Sequence, residues 1–428
     1  MIAPLEFSSA EQIRTFQERK LAEQLHYLNV HSPFYKRLLE KHGIHAGEIQ
    51  KLDDLLKLPL TSKDDLQLFN DDFICVPKNE IIDVSSTSGT VGKPINFILN
   101  DADLDRLAYN EALSFSCAGV KSGDLVQLMT TMDRRFMAGL AYFLGLRKLG
   151  AGVIRTGTGV PDFQLDSILV NKPKFLIAVP SFLLKLAKHA EEQGIDLNAT
   201  SPVAAICIGE PLRNQDFTPL TLCERIQERW NIELISTYAS TEMSTAFTEC
   251  EALQGGHEHS ELIITEILDD RGHPVEAGQL GELTITTLGV RGMPLLRYKT
   301  GDIVRKHEGI CGCGRHSARI GPVAGRKKQM IKYKGTTLFP IAIQDVLNSF
   351  NEIFGHIVEI STNDIGTDDV NVKISSTDFS DNFLHAVKEK MRSKIRVVPQ
   401  ISCISEDELN RLVMPTGSRK PKVVIDLR

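Results

Sequence analysis

The chain has 428 residues, more than a single hydrophobic core usually serves, so two or more domains are expected. Hydrophobic residues make up 42% and charged residues 24%, an ordinary balance for a globular protein in water. The formal net charge of -6 comes without a long Lys/Arg stripe, which argues against a nucleic-acid partner.

No segment approaches the ~20 apolar residues needed to span a bilayer, and the first residues lack a basic start followed by an apolar run. A cytoplasmic protein with reduced thiols and no membrane partner is therefore expected. The eight cysteines lack the dense spacing of a disulfide scaffold. Cys75, Cys117, Cys207 and Cys403 lie in apolar or strand-like contexts and read as buried, inert thiols, while Cys223 falls in a predicted helix.

From Ile13 to Gly43, apolar residues recur at helical spacing, with a break at Ser32-Pro33. Short apolar runs then alternate with helical patterns. DLVQLMT, AGVIRT and KFLIAVP read as strands, and MAGLAYFLGLRKLG, FQLDSILVN and SFLLKLAKHAEEQG as helices. That order predicts a sheet of parallel strands covered by helices. ELIITEILDD and GELTITTL alternate with period two and predict antiparallel strands. After a cluster of glycines and charges near Lys328 the pattern becomes helix, two strands, long helix, strand. This predicts a small α+β, ferredoxin-like C-terminal domain over residues 328–428, after a large α/β domain over 1–327.

The run Ser85-Ser86-Thr87-Ser88-Gly89-Thr90-Val91-Gly92-Lys93-Pro94 has the chemistry of a phosphate loop. Small residues let backbone N–H groups approach phosphate oxygens, hydroxyls add donors and Lys93 adds charge. Its spacing is not that of the P-loop hydrolases. A polar turn between strands would share this composition.

Further motifs follow in order: Ile208-Gly209-Glu210-Pro211, Tyr238-Ala239-Ser240-Thr241-Glu242, and Tyr298-Lys299-Thr300-Gly301-Asp302. With the phosphate loop and the SPFYKRLLEKHGI and LDDLLKLPLTSKDDL runs, the chain resembles the adenylate-forming acyl-CoA synthetases, and among them the phenylacetate–CoA ligase family. The resemblance covers nearly the whole chain. Val91 and Ala239 depart from it, standing where a hydroxyl residue and a glycine are usual.

The resemblance implies an ATP-dependent acid–thiol ligase in which the small domain is mobile. A carboxylic acid is adenylated with release of pyrophosphate and then transferred to coenzyme A. Ser88, Gly89, Thr90, Gly92 and Lys93 would hold phosphates, as would Thr241, and Glu242 would ligate Mg²⁺, which favours hard carboxylate oxygens. Tyr238 would flank the adenine, with Ala239 and Ser240 beside it and Gly209, Glu210 and Pro211 on the adenine side. Read alone, the Tyr238–Glu242 run could equally be a capped helix start. Asp302 would accept both ribose hydroxyls, and Arg326 would support them. The hinge would fall on Lys328, with Lys332 and Gly335 on a loop facing the site in the second half-reaction. In the tail, MPTGSRKPKVVIDLR, the catalytic lysine would be Lys420, with Lys422 as its rival. A mobile ammonium suits the charge that develops during adenylation.

Cys311 and Cys313 flank Gly312, and Cys250 with His257 lies upstream. Three thiolates and an imidazole suit a closed structural Zn²⁺ site; His259 is also available, and the family alignment favours His257. The acyl pocket is expected around Phe136 and Gly139. Phe136 would stack on an aryl acid such as phenylacetate, and Arg135 would meet a second anionic group; packing or surface roles are open to both. A carrier-protein acceptor and a silent nucleotide binder are the competing functions. The family also implies a homodimer.

Overall fold

Residues 4–87, 95–333, 336–363, 368–414 and 422–428 are described by a computed structural model. Ser9 opens the helix Ala10–His31 through a reciprocal capping box with Gln12, and Leu21, Leu25 and Leu28 share its buried face. Ser32 ends that helix and caps the next, accepting from the Tyr35 N–H while Pro33 takes the first position of Pro33–Lys41. Each buried leucine of this kind contributes roughly 1.5–3 kcal/mol.

Among the described residues, the largest element is a nine-stranded mixed sheet. Its parallel part runs, in spatial order, Gly152–Arg155, Leu125–Leu128, Phe175–Ala178, Ala204–Ile208 and Glu233–Ser240. Helices Met137–Leu149, Pro161–Asn171, Pro180–Glu192 and Thr221–Gln227 connect these strands, as the alternating pattern predicted. The sheet then turns antiparallel through Thr245–Thr248, Gly256–His257, Arg319–Ile320 and Lys306–His307. A second, antiparallel sheet joins Ile263–Leu268, Gly281–Thr287, Tyr298–Val304 and Gly325–Arg326. The hairpin Asp83–Ser86 with Asn96–Leu99 carries residues 88–94 between its strands, closed at the base by backbone and side-chain hydrogen bonds between Thr87 and Ile95.

A separate apolar core begins at Ile331 and gathers Ile343, Val358, Val372, Val387 and Met391. It fills the expected α+β module, but the strand directions are not the all-antiparallel ones of a ferredoxin-like sheet. The order is Gln400–Cys403, Asp368–Ser376, Ile353–Thr362, Val424–Asp426, with an antiparallel central pair and parallel outer strands. For Gln400–Cys403 the cause is the helix Asp381–Ile395, which crosses over from Asp368–Ser376 and returns the chain parallel. Cys403, expected to be buried, is exposed because its strand is at the edge of this sheet; Cys75, Cys117, Cys207 and Cys223 are buried. Among the described residues, no helix is long and apolar enough to cross a membrane.

Candidate active site

Backbone ladders bring three distant motif residues together. Tyr238 lies on the last parallel strand of the large sheet, and Asp302 lies on Tyr298–Val304 of the second sheet. The Tyr238 hydroxyl donates to Asp302 Oδ2 at 2.6 Å, and Arg326 Nε stands 3.4 Å from Asp302 Oδ1. Arg326 is also the ladder partner of Asp302, so strand pairing sets their meeting. The ring of Tyr238 stacks on its cross-strand partner Phe247, with centroids 5.8 Å apart. Burial raises the Asp302 carboxyl above its ordinary range, against the pull of Arg326. With one oxygen toward Tyr238 and the other toward Arg326, the carboxylate keeps lone pairs for a hydroxyl-bearing ligand.

Thr241 and Glu242 occupy the hairpin turn between Glu233–Ser240 and Thr245–Thr248. The run is thus a strand end and turn, not the helix start that its Ser and Thr also allowed. Ser240 Oγ accepts the Met243 N–H at 3.3 Å, and Ser244 adopts a left-handed φ of 48°. The turn is gripped from behind by Arg106. Its Nη1 donates to the Ser244 carbonyl at 2.5 Å, Nη2 to Thr245 Oγ1 at 3.2 Å and the Leu262 carbonyl at 2.6 Å, and Nε to the Leu288 carbonyl at 2.7 Å. No local motif marks Arg106, because its acceptors lie 138 to 182 residues away. Lys63 was also missed as a site residue, although it sits in the LDDLLKLPLTSKDDL run. Burial lowers its pKa, the Glu242 charge opposes this, and Arg326 and Lys328 add to the fall, which places Lys63 among these groups. The neighbouring Thr61 hydrogen-bonds the backbone of Arg297 and Lys299, tying this segment to the Asp302 strand.

The other predicted residues fall in several places. Gly209 has a left-handed φ of 78°, and Pro211 follows Glu210 on the same strand-end turn. The Glu210 carboxylate accepts both the backbone N–H and the hydroxyl of Ser181 at 2.8 Å, so it caps the helix Pro180–Glu192. Ala239 is exposed at the end of its strand. Phe136 is half-buried at the start of Met137–Leu149. Gly139 permits close packing: a Cβ there would lie 2.0 Å from the Thr131 carbonyl oxygen. Arg135 Nη1 donates to Asn96 Oδ1 at 3.3 Å, and its carbonyl accepts from Ser86 N–H, so this loop braces the hairpin that carries residues 88–94. Lys328 Nζ is 3.5 Å from Asp64, and the Lys332 N–H donates to Asp368 at 2.6 Å. Lys422 N–H donates to the Val413 carbonyl at 2.8 Å. Ser88, Gly89, Thr90, Gly92, Lys93, Gly335 and Lys420 lie outside the described residues.

Cys250, His257, Cys311 and Cys313 converge, with their ligand atoms all within 4.8 Å of one another. The Cys250 and Cys311 sulfurs are 3.6 Å apart, and Cys313 Sγ is 3.4 Å from His257 Nε2. Tetrahedral Zn²⁺, with bonds of about 2.3 Å to sulfur, fits such spacing. His257 Nδ1 faces Ser317 Oγ at 3.1 Å, leaving Nε2 toward the thiols. Burial pushes the His257 pKa down to about 3, so the ring is neutral and can donate a lone pair. His259 is unsuited to the role: its Nε2 meets Ser114 Oγ at 2.9 Å and its Nδ1 meets Glu6. Glu6 also accepts from Arg315 Nε at 2.7 Å, which fastens the N-terminal segment to the Cys311–Cys313 loop. Glu6 carried no sequence signal, since a single acid before the first helix is commonplace.

Comparison with known proteins agrees with this architecture. Residues 27–292 match the AMP-binding enzyme family, and residues 335–428 match the AMP-binding enzyme C-terminal domain. The phenylacetate-coenzyme A ligase of Thermus thermophilus is 29% identical over 413 residues, covering 92% of this chain and 91% of that protein. The phenylacetate-coenzyme A ligase of Escherichia coli is 27% identical over 435 residues, covering 99% and 97%. A crystal structure of 2-hydroxyisobutyryl-CoA ligase in the postadenylation state, in complex with R3-HIB-AMP, matches with a TM-score of 0.85 at 23% identity, covering 99% of this chain and 92% of the other. Both segments occur in order along one chain, and the chain belongs to the AMP-binding enzyme family.

Proposed function

We propose that this protein is an AMP-forming acid–CoA ligase whose acid is phenylacetate or another aryl acid. The observation that carries the reading is the Tyr238–Asp302–Arg326 group, set by two ladders beside the turn that bears Thr241 and Glu242. Asp302 would accept from the ribose hydroxyls of ATP, with Arg326 beside it, and Tyr238 would lie along the adenine. Mg²⁺, held by Glu242, would neutralise phosphate charge. A carboxylate oxygen of the acid attacks the α-phosphorus, the bond to the β-phosphate oxygen breaks, and pyrophosphate leaves. Lys420 on the small domain would supply a positive charge to that reaction. The thiol sulfur of coenzyme A then attacks the acyl carbon, AMP leaves with the bonding electrons, and the thiol proton passes to solvent. The small domain, from residue 328 onward, turns about Lys328 between the two steps.

Cys250, His257, Cys311 and Cys313 would hold a Zn²⁺ ion that ties the loop at Cys311 to the large sheet. The reaction has no need of it, and the closed four-donor set makes it structural.

The test is pyrophosphate release from ATP and Mg²⁺ across a panel of carboxylic acids, with and without coenzyme A. The expected result is release that depends on an aryl acid, with thioester formed only when coenzyme A is present. Release with an aliphatic acid alone would overturn the choice of substrate. ATP binding without pyrophosphate from any acid would overturn the ligase reading.

A further inference from the structure

The segment that joins the two apolar cores is held from opposite sides. On its N-terminal side, Arg326 pairs with Asp302 in the second sheet, and Lys327 Nζ lies 2.9 Å from Glu282 and 2.7 Å from Asp270. All of these partners belong to the large domain. On its C-terminal side, the backbone partners belong to the small one, while the exposed Lys328 ammonium lies 3.5 Å from Asp64 of the large domain. Arg428 Nη2 donates to the Lys328 carbonyl at 2.6 Å, and Nη1 donates to the Met330 carbonyl at 2.9 Å. The same Nη1 lies 3.1 Å from each carboxylate oxygen of Asp368. Asp426 accepts from Nε at 2.9 Å and from Nη2 at 2.7 Å. Asp368 in turn accepts the Lys332 N–H at 2.6 Å. Asp426 and Asp368 sit on strands of the four-stranded sheet, so the guanidinium is itself anchored there.

We propose that Arg428 is a positioning residue that welds the backbone of Lys328–Lys332 to the small domain and so confines interdomain rotation to the bonds between the Lys327 side-chain anchor and the Lys328 carbonyl. This deepens the two-orientation reading above and rests on it. A guanidinium suits the task because its fixed fork reaches two carbonyls and two carboxylates at once, whereas an ammonium offers a single point. A hinge confined to a few bonds swings the small domain along one path; a hinge spread over five residues lets it settle in many orientations.

The experiment compares the wild-type chain with R428A, R428K and D368N. Hydrogen exchange of the peptide covering residues 326–333 requires no substrate. Exchange at least about tenfold faster in R428A and D368N, with R428K between them and the wild type, is expected. The R428A/D368N double variant should exchange no faster than the quicker single one, because both remove one network. Unchanged exchange in R428A and D368N, with both folded by circular dichroism, overturns the proposal. Turnover with ATP, phenylacetate and coenzyme A supplies the second readout. A fall of about tenfold in kcat with the KM for ATP within twofold is expected, because the residues proposed above to hold the adenine, ribose and Mg²⁺ lie on the large domain. Faster exchange with unchanged kcat would overturn the positioning role. If the wild-type enzyme shows no turnover with any acid, the ligase reading fails, and the exchange result still decides whether Arg428 is the clamp.

Discussion

The Tyr238–Asp302–Arg326 face and the Cys–His cluster lie at opposite ends of one helix and are built on opposite terms. Asp101–Cys117 meets the Glu242 turn through Arg106, and Asn110 Oδ1 accepts the Ala246 N–H at 3.2 Å on the strand beyond it. Further along, Ser114 meets His259, and Cys117 packs with Cys250 and Cys311. At the Tyr238–Asp302–Arg326 face the Asp302 carboxylate has lone pairs beyond its contacts with Tyr238 and Arg326. Arg326 is exposed, and the Asp302 carboxyl is kept above its usual range by burial. At the cluster the polar groups are enclosed, and the neighbouring Glu6, His259, Ser317 and Arg315 satisfy one another. An open site with spare hydrogen-bonding capacity can take and release a ligand, and a saturated buried one can only hold a shape.

The largest effect expected to test that contrast is at the cluster. Cys311→Ala, or removal of metal from the folded protein by a strong chelator, should cost about 3–5 kcal/mol and lower the thermal midpoint by ~10 °C or more. Elemental analysis should find one zinc per wild-type chain and none in the variant. The molecules that remain folded should turn over normally; a specific loss of kcat in them would make the cluster part of the working site.

Asp302→Asn should do the reverse. Pyrophosphate release is expected to fall by about a hundredfold, equivalent to about 2.7 kcal/mol, through weaker use of ATP. The thermal midpoint should hold or rise slightly, since an amide is easier to bury than a carboxylate. A large drop in the midpoint would place Asp302 with the structural groups instead.

Glu111 sharpens the comparison from the middle of the shared helix. Its fully buried carboxyl meets Asn110 at 2.9 Å, and burial raises its pKa to about 8. The folded form therefore holds the proton more tightly than the unfolded chain does. Its contribution to stability is complete below the ordinary carboxylate range and declines as pH rises from there to about 8. Glu111→Gln should flatten the decline between pH 6 and pH 8 by roughly 2 kcal/mol, as measured by denaturant unfolding. An unchanged slope would show that Glu111 is ionised in the fold.

The smallest effect is expected at Thr245, which gives Arg106 one of its four acceptors. Thr245→Val should cost about 1 kcal/mol. It should also raise the Mg²⁺ concentration needed for half-maximal activity by a few-fold, since Arg106 sets the turn bearing Glu242. A loss of stability with an unchanged Mg²⁺ requirement would make Arg106 a packing residue only.

Much of this was legible along the chain because the signals are local. Capping residues, helical spacing and alternating strands lie within a turn or two, and they located the elements from Ala10 to Ile395. The motifs around Tyr238 and Asp302 are each five consecutive residues, and it was the family resemblance that lent them their roles. Residue types also named the donors Cys250, Cys311 and Cys313 and left His257 and His259 both open, with the family resemblance favouring His257. What remained for the tertiary structure were decisions made between distant partners. The partners of His259 leave His257 as the fourth donor, and Glu6 is explained only by His259 and Arg315, 253 and 309 residues away. Arg106 and Lys63 look like any helix or loop cation until the Glu242 turn folds against them. The parallel pairing of Gln400–Cys403 with Asp368–Ser376 follows from where the helix Asp381–Ile395 returns the chain, which composition does not record. A side chain's job is set by the groups that desolvate and pair with it, and in this protein those groups arrive from elsewhere in the chain.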